Sequence, residues 1–254
     1  MTIDKDSNVY TFIFSVVLCV VTAVALAITA QKLKPYQDAN ILNEKKQNIL
    51  AALQIDADRD KEAASKFEQH VKEAIILDAK GVPDQAILDE TKGDKTAMIE
   101  KALSINALDQ FKGVEEDKRL YPLYICENEG KKYYVMPVGG QGLWAGIWGY
   151  LSVGEDMNTV AGASFDHKSE TPGLGAEINT PFFEGQFPGK KLNDATGNFV
   201  SIRVVKPGSP KTEHNVDGIS GGTFTSKGVD EMITRCLTVY STYFKSLSSS
   251  TASK

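Results

Sequence analysis

Residues that hold metals or act as nucleophiles are scarce in this chain of 254. It has three cysteines, Cys19, Cys126 and Cys236, and three histidines, His70, His167 and His214. No pair of cysteines has Cys-x-x-Cys spacing and no histidine cluster accompanies them, so no metal site is expected. A Gly-x-Gly-x-x-Gly unit opening a helix is also missing, which excludes a recognisable dinucleotide site. There is no Gly-x-Ser-x-Gly elbow, Ser220 and Lys227 lie too far apart for a one-turn Ser-Lys pair, and Asp166-His167 has no nucleophile to serve. Hydrolase chemistry is therefore a poor fit, and no catalytic residue is assigned. The formal charge is -5, with lysines and arginines scattered along the chain, which argues against nucleic acid as a partner. His70 and His214 sit in polar stretches and are expected at the surface.

The absence with the largest consequence is that of charge between residues 7 and 31, where Val, Ala, Leu, Ile and Phe predominate. As a helix rising about 1.5 Å per residue, this stretch spans a hydrocarbon core of roughly 30 Å. A cleaved signal peptide processed near Ala25-Leu26-Ala27 is the competing reading. The apolar run is longer than a usual signal core and Lys5 is offset by Asp4 and Asp6, so an anchor is expected. Leu18 before Cys19 argues against lipidation there. Cys126 and Cys236 could pair in an oxidising compartment, but Cys236 falls on an apolar helical face and reads as a buried thiol.

The expected organisation is residues 1–8 as an N-terminal segment, 9–30 as a transmembrane helix, 31–120 as a helical lead-in, 121–247 as the rest of the same domain, and 248–254 as a disordered tail. The chain leaves the membrane at Lys32-Leu33-Lys34-Pro35. Apolar residues at helical spacing predict helices over 40–53 and 60–75. Gly81-Val82-Pro83 and Lys92-Gly93-Asp94 read as turns. From about Tyr121, β-branched and aromatic runs predict strands over 133–138, 147–153, 160–165 and 199–205. Near the end, Val229, Met232, Ile233, Cys236, Leu237, Tyr240 and Phe244 recur at helical spacing. The fold class is α/β (α+β): one anchor helix, then one domain with a mixed or antiparallel sheet flanked by helices.

Three segments carry chemistry. Asp217-Gly218-Ile219-Ser220-Gly221-Gly222-Thr223 places a hydroxyl in a loop almost free of bulky side chains at the amino end of the last helix, where unpaired N–H groups attract anions. An ordinary Gly-rich turn capped by Thr225 or Ser226 is the plain alternative. In His167-Lys168-Ser169-Glu170-Thr171-Pro172-Gly173-Leu174-Gly175, glycines follow a rigid proline, which suits a loop laid against a flat ligand. Gly140-Gln141-Gly142-Leu143-Trp144 sets large apolar surface beside glycine, enough to wall a pocket.

The first of these resembles the flavinylation signature Asp-x-x-Ser/Thr-Gly-Ala-Thr/Ser, with Gly222 at the place of the usual Ala. In order and content the segments resemble the C subunits of sodium-translocating NADH:quinone oxidoreductases, along the whole chain. The resemblance implies FMN bound covalently through its phosphate to Thr223, beside Ser220, Gly221 and Gly222. It implies ring contacts from Glu170, Thr171, Gly173 and Leu174, a pocket wall from Leu143 and Trp144, and Lys206 as a cation near the phosphate or reduced flavin. It further implies a flavin transferase using FAD and magnesium for maturation, the other subunits of the complex as partners, and a role in relaying electrons from NADH towards quinone, coupled to sodium transport. The homologous G subunit of Rnf complexes is a shorter alternative, disfavoured by the long segment 72–118. A membrane-tethered binding domain without flavin is the alternative from another class. Lysines 32, 34, 45 and 46 after the span place the domain in the cytoplasm by the positive-inside count, whereas the resemblance implies the periplasmic side of a bacterial inner membrane; the latter is expected, because long domains translocate largely regardless of charge.

Overall fold

A computed structural model describes residues 7–57 and 60–251. Most of the N-terminal segment and the last three residues of the expected tail lie outside the described residues. The chain divides into two units, Met1–Glu44 and Lys45–Lys254.

In the first unit, helix α1 (Asn8–Ala52) begins as an exposed apolar rod, long and apolar enough to cross a membrane. Its hydroxyls turn back onto its own backbone: Ser15 donates to Thr11 O, Thr22 to Leu18 O and Thr29 to Ala25 O, each at 2.8 Å. This satisfies them without water, as an apolar medium requires. The separate helix expected over 40–53 is instead the continuation of α1. Pro35 lies inside it and forfeits a single i to i−4 bond, which the good helix formers around it carry through.

The second unit is built on a five-stranded antiparallel sheet in the order β1 (Val71–Leu77), β2 (Tyr121–Asn128), β3 (Lys131–Gln141), β4 (Gly146–Val153) and β5 (Val160–His167). Glu129 and Gly130 join β2 to β3 with φ of 51° and 72°, the left-handed pair that a two-residue hairpin matched to strand twist demands. Both faces are covered, so side chains alternate between two cores. Leu123, Tyr134, Met136 and Leu151 enter one, while Tyr124, Val135 and Tyr150 enter the other. The second core is closed by the end of α1, by α2 (Asp60–His70) and by α4 (Lys95–Ser104), with α3 (Gln85–Thr91) and α5 (Ala107–Gly113) completing the passage from β1 to β2.

Helix α7 (Thr223–Thr251) closes the first core, and all seven residues of its expected apolar face are buried there. Cys236 is among them and Cys126 lies in the opposite core; both are free thiols. The start of α7 touches the end of β3 closely enough that a Cβ on Gly228 would sit 2.1 Å from Gln141 O. A two-stranded parallel pair, β6 (Arg203–Val205) and β7 (Asn215–Asp217), and a short helix α6 (Pro181–Glu184) complete the unit.

The structure corrects three boundaries. The helix expected over 60–75 ends at His70, because Val71, Ile75 and Ile76 are β-branched and pair along β2. The strand expected over 199–205 is confined to β6: Ser201 turns the chain at φ 66°, and Phe199 makes only an isolated bridge to Asn193. The tail is helical through Thr251, its hydroxyls returning to carbonyls, Ser248 to Phe244 O and Ser249 to Lys245 O. His70 and His214 are half-buried rather than exposed, each Nδ1 lying 2.8 Å from a carbonyl, of Glu127 and Lys191.

Candidate cofactor site

The ends of β3, β5 and β7 and the starts of β4 and α7 bring the three glycine-bearing segments to one place. Gly222 caps α7, since its carbonyl accepts from Ser226 N at 2.8 Å. Lacking a side chain, it offers no acceptor to the first turn, and among the described residues nothing accepts from the N–H groups of Thr223, Phe224 or Thr225. Thr223, the first residue of α7, is exposed beside these donors. The approach is shaped by Gly221, at φ 75°, where a Cβ would strike Leu174 Cδ2 at 2.7 Å. An alanine at Gly222 would put its Cβ 3.0 Å from Ile219 Cβ, so glycine suits this loop. The loop is pinned from both sides. Ser226 Oγ accepts from Ile219 N at 2.8 Å, and the Gln186 amide pairs with the Asp217 backbone, accepting from its N at 2.9 Å and donating to its O at 3.2 Å.

Glu170 is engaged by the protein itself. Its side chain is buried, and Oε1 accepts from Trp144 N (2.9 Å) and Ala145 N (3.1 Å) while Oε2 accepts from the Thr225 hydroxyl (2.6 Å). Burial by itself would push its pKa up. The Thr225 hydroxyl and the N–H groups of Trp144, Ala145 and Leu143 outweigh that and hold the carboxyl below the ordinary glutamate value. Glu170 is thus an ionised strut joining the β3–β4 turn, its own loop and α7. The fit leaves no room for a side chain at Gly175, where a Cβ would lie 2.3 Å from Thr225 Oγ1.

The strut leaves apolar groups uncovered around the loop: Leu143 is 48% exposed, Trp144 68% and Leu174 42%. Thr171 and Gly173 are exposed on the same turn as Leu174, and Ser220 is exposed beside Gly221. Lys206 follows β6, whose Val205 pairs with Asp217, and among the described residues no hydrogen bond or ion pair joins its side chain to the loop. Lys211 is the cation there, at 2.5 Å from Asp217 Oδ2. Sequence reasoning missed Gln186, Lys211, Phe224 (69% exposed, next to Thr223) and the true partners of Thr225 and Ser226. Only the two hydroxyls carry a signal in the sequence, that of simple helix caps.

A hydroxyl among free N–H groups, flanked by exposed apolar side chains, suits a phosphate attached to a flat ring. The FMN-binding domain family matches residues 142–238, which hold the Glu170 and Thr223 loops and the third segment from Gly142 onward. The C subunit of the Na(+)-translocating NADH-quinone reductase from Pseudomonas aeruginosa is 33% identical over 241 residues, covering 91% of each chain. The C subunit of the same name from Pasteurella multocida is 34% identical over 233 residues, covering 89% of this chain and 88% of its own. The chain belongs to this C-subunit family. A crystal structure of the C subunit from Parabacteroides distasonis superposes with a TM-score of 0.70 at 38% identity, covering 83% of this chain and 96% of that one. The C-subunit fold is therefore this fold, an apolar N-terminal helix followed by a mixed helix and sheet domain.

Proposed function

We propose that the chain is the FMN-carrying electron-transfer subunit of a Na(+)-translocating NADH-quinone reductase, relaying electrons from NADH towards quinone within the complex. FMN bound here supplies one-electron redox chemistry. The observation that carries the reading is that Thr223 is exposed at the start of a 29-residue helix whose first N–H groups have no acceptor among the described residues. A phosphoester on Thr223 Oγ1 would meet those donors and the positive end of the helix. The competing hydroxyl of Thr225 is committed to Glu170. Leu143, Trp144 and Leu174 would flank the ring, with Ser220, Gly221 and Gly222 shaping the approach and Thr171 and Gly173 completing the turn. Glu170 would hold these parts in place, and Lys206 would add positive potential at a distance. Covalent attachment explains why no basic cluster surrounds Thr223. Its formation would need a flavin transferase using FAD and magnesium.

The apolar part of α1 supports single-pass anchoring in a membrane, with residues 9–30 as the span, and we place the domain on the periplasmic side because long domains translocate largely regardless of charge. External protease should digest the domain in intact spheroplasts, and protection would reverse the orientation. The chain is an electron carrier in this reading and does not itself oxidise NADH. Thr223→Val, co-expressed with the transferase, should remove covalent flavin entirely while the domain stays folded, read by intact mass and circular dichroism. An adduct found on Ser220 or Thr225 by peptide mass spectrometry would overturn the assignment.

A further inference from the structure

On the other side of the β3 end, two guanidinium groups share one aromatic ring. Arg235 lies 4.2 Å and Arg119 5.3 Å from the centroid of Phe111. Neither has an acidic partner among the described residues, although both are half-buried. Each is held in place by backbone: Arg119 donates to Val114 O and Phe111 O at 3.1 Å, and Arg235 donates to Gly139 O at 2.5 Å. Between them lies a cavity with about 10 Å³ open to the centre of a water-sized group, lined also by Gln110, Tyr121 and Cys236. That is room for about one such group.

The lining decides what the group is. Gln110 Oε1 already accepts from Leu120 N, which leaves its amide N–H groups as donors. The carbonyls nearest the cavity already have donors beside them: that of Gly139 accepts from Arg235, and those of Pro122 and Pro137 lie 2.9 and 3.0 Å from the Tyr240 hydroxyl, whose one proton serves them in turn. Apart from Phe111, Leu120, Pro122 and Pro137, which are apolar, the lining is led by the Arg119 and Arg235 guanidinium groups and the Gln110 amide, with two positive charges and no carboxylate, which favours a group that carries negative charge and no protons of its own. The geometry points to a binding site for one small monovalent anion, of the halide class, between Arg119 and Arg235 beside Phe111. An anion there neutralises two like charges that the fold holds against one ring, and it fixes the strand carbonyl three residues before Gly142. Because it binds the folded state alone, it raises stability in proportion to the logarithm of its concentration.

The test is thermal unfolding of the full chain in detergent, with sodium chloride or bromide exchanged for sodium gluconate at constant ionic strength. Gluconate is too large for the cavity. The native chain should melt several degrees higher in the halides, in a saturable manner, and Arg119→Gln or Arg235→Gln should abolish the difference. Equal melting in all three salts, or a halide effect that survives both substitutions together, would overturn the site. Should the variants not fold, anomalous scattering from bromide-soaked crystals of the native chain decides the matter. Density between the two guanidinium groups supports the site, and its absence there sinks it.

Discussion

The Glu170 loop and the short helix that ends in Glu184 each hang on the sheet through one carboxylate, yet the two carboxyl pKa values are displaced in opposite directions. Glu170 gathers donors from the β3–β4 turn and from α7, and its pKa is lowered. Glu184 accepts a single N–H, from Phe165 at 2.6 Å, with Asp166 nearby. Burial raises its pKa to about 7; the Phe165 N–H opposes this and the Asp166 charge adds to it. Stronger desolvation of Glu184 and the larger set of donors at Glu170 together send the two carboxyls in opposite directions. Only the ionised one can act as a rigid joint at the edge of the cofactor site.

The largest break in this comparison is Glu170→Ala, which strands two backbone N–H groups and one buried hydroxyl. The expected loss is about 4 kcal/mol, read by urea unfolding, since each unsatisfied buried group costs about 1–3 kcal/mol. Glu184→Ala strands one N–H and should lose no more than about half as much. Next in size is Thr225→Val, about 2 kcal/mol for a buried hydrogen bond to a charged acceptor. It should also move acid unfolding to higher pH, because Glu170 loses the largest of the interactions that favour its ionised form.

The two carboxylates also give opposite pH limbs. For Glu170 the folded pKa is below the ordinary 4.5, so its contribution is complete above that pH and is lost as pH falls through the folded value. Glu184 is the reverse. Between 4.5 and about 7 the folded chain keeps a proton that the unfolded chain has released, so stability declines as pH rises across that window. Glu184→Gln should remove this decline, a gain on the order of 1 kcal/mol at pH 8 once solvent screening is allowed for. A flat profile in the native chain from pH 5 to 8 would show that Glu184 is not held protonated.

The parts legible in the sequence were those with local signals. The apolar face of α7 follows from spacing alone, the β3 to β5 runs from β-branched and aromatic content, and the Thr223 loop from its motif. What was missed joins residues far apart in the chain. Gly142, Glu170 and Thr225 meet only because β3 and β5 end where α7 begins, so the spacing of Glu170 in its loop gave no sign of its distant partners. The strand β1 was hidden for another reason: Val71 to Ile75 continues the apolar spacing of α2, and only pairing with β2 decides its conformation.

The smallest expected effect belongs to Gln186, which no motif marks and which lies 31 residues from its partner. Its amide makes both backbone bonds of Asp217, where the chain leaves β7 for the Thr223 loop. The residue is half-buried, so water can replace part of what is removed, and Gln186→Ala should cost only about 1 kcal/mol. Its consequence for the site is larger than its consequence for the fold. Ser226 still holds Ile219, but with the Asp217 end released the loop samples more conformations, and the Thr223 hydroxyl spends less time beside the free N–H groups of α7. Flavin loading by the transferase should slow several-fold while the final yield stays complete, followed by in-gel fluorescence over time. Loading at the native rate would show that the Ser226 contact alone orders the loop.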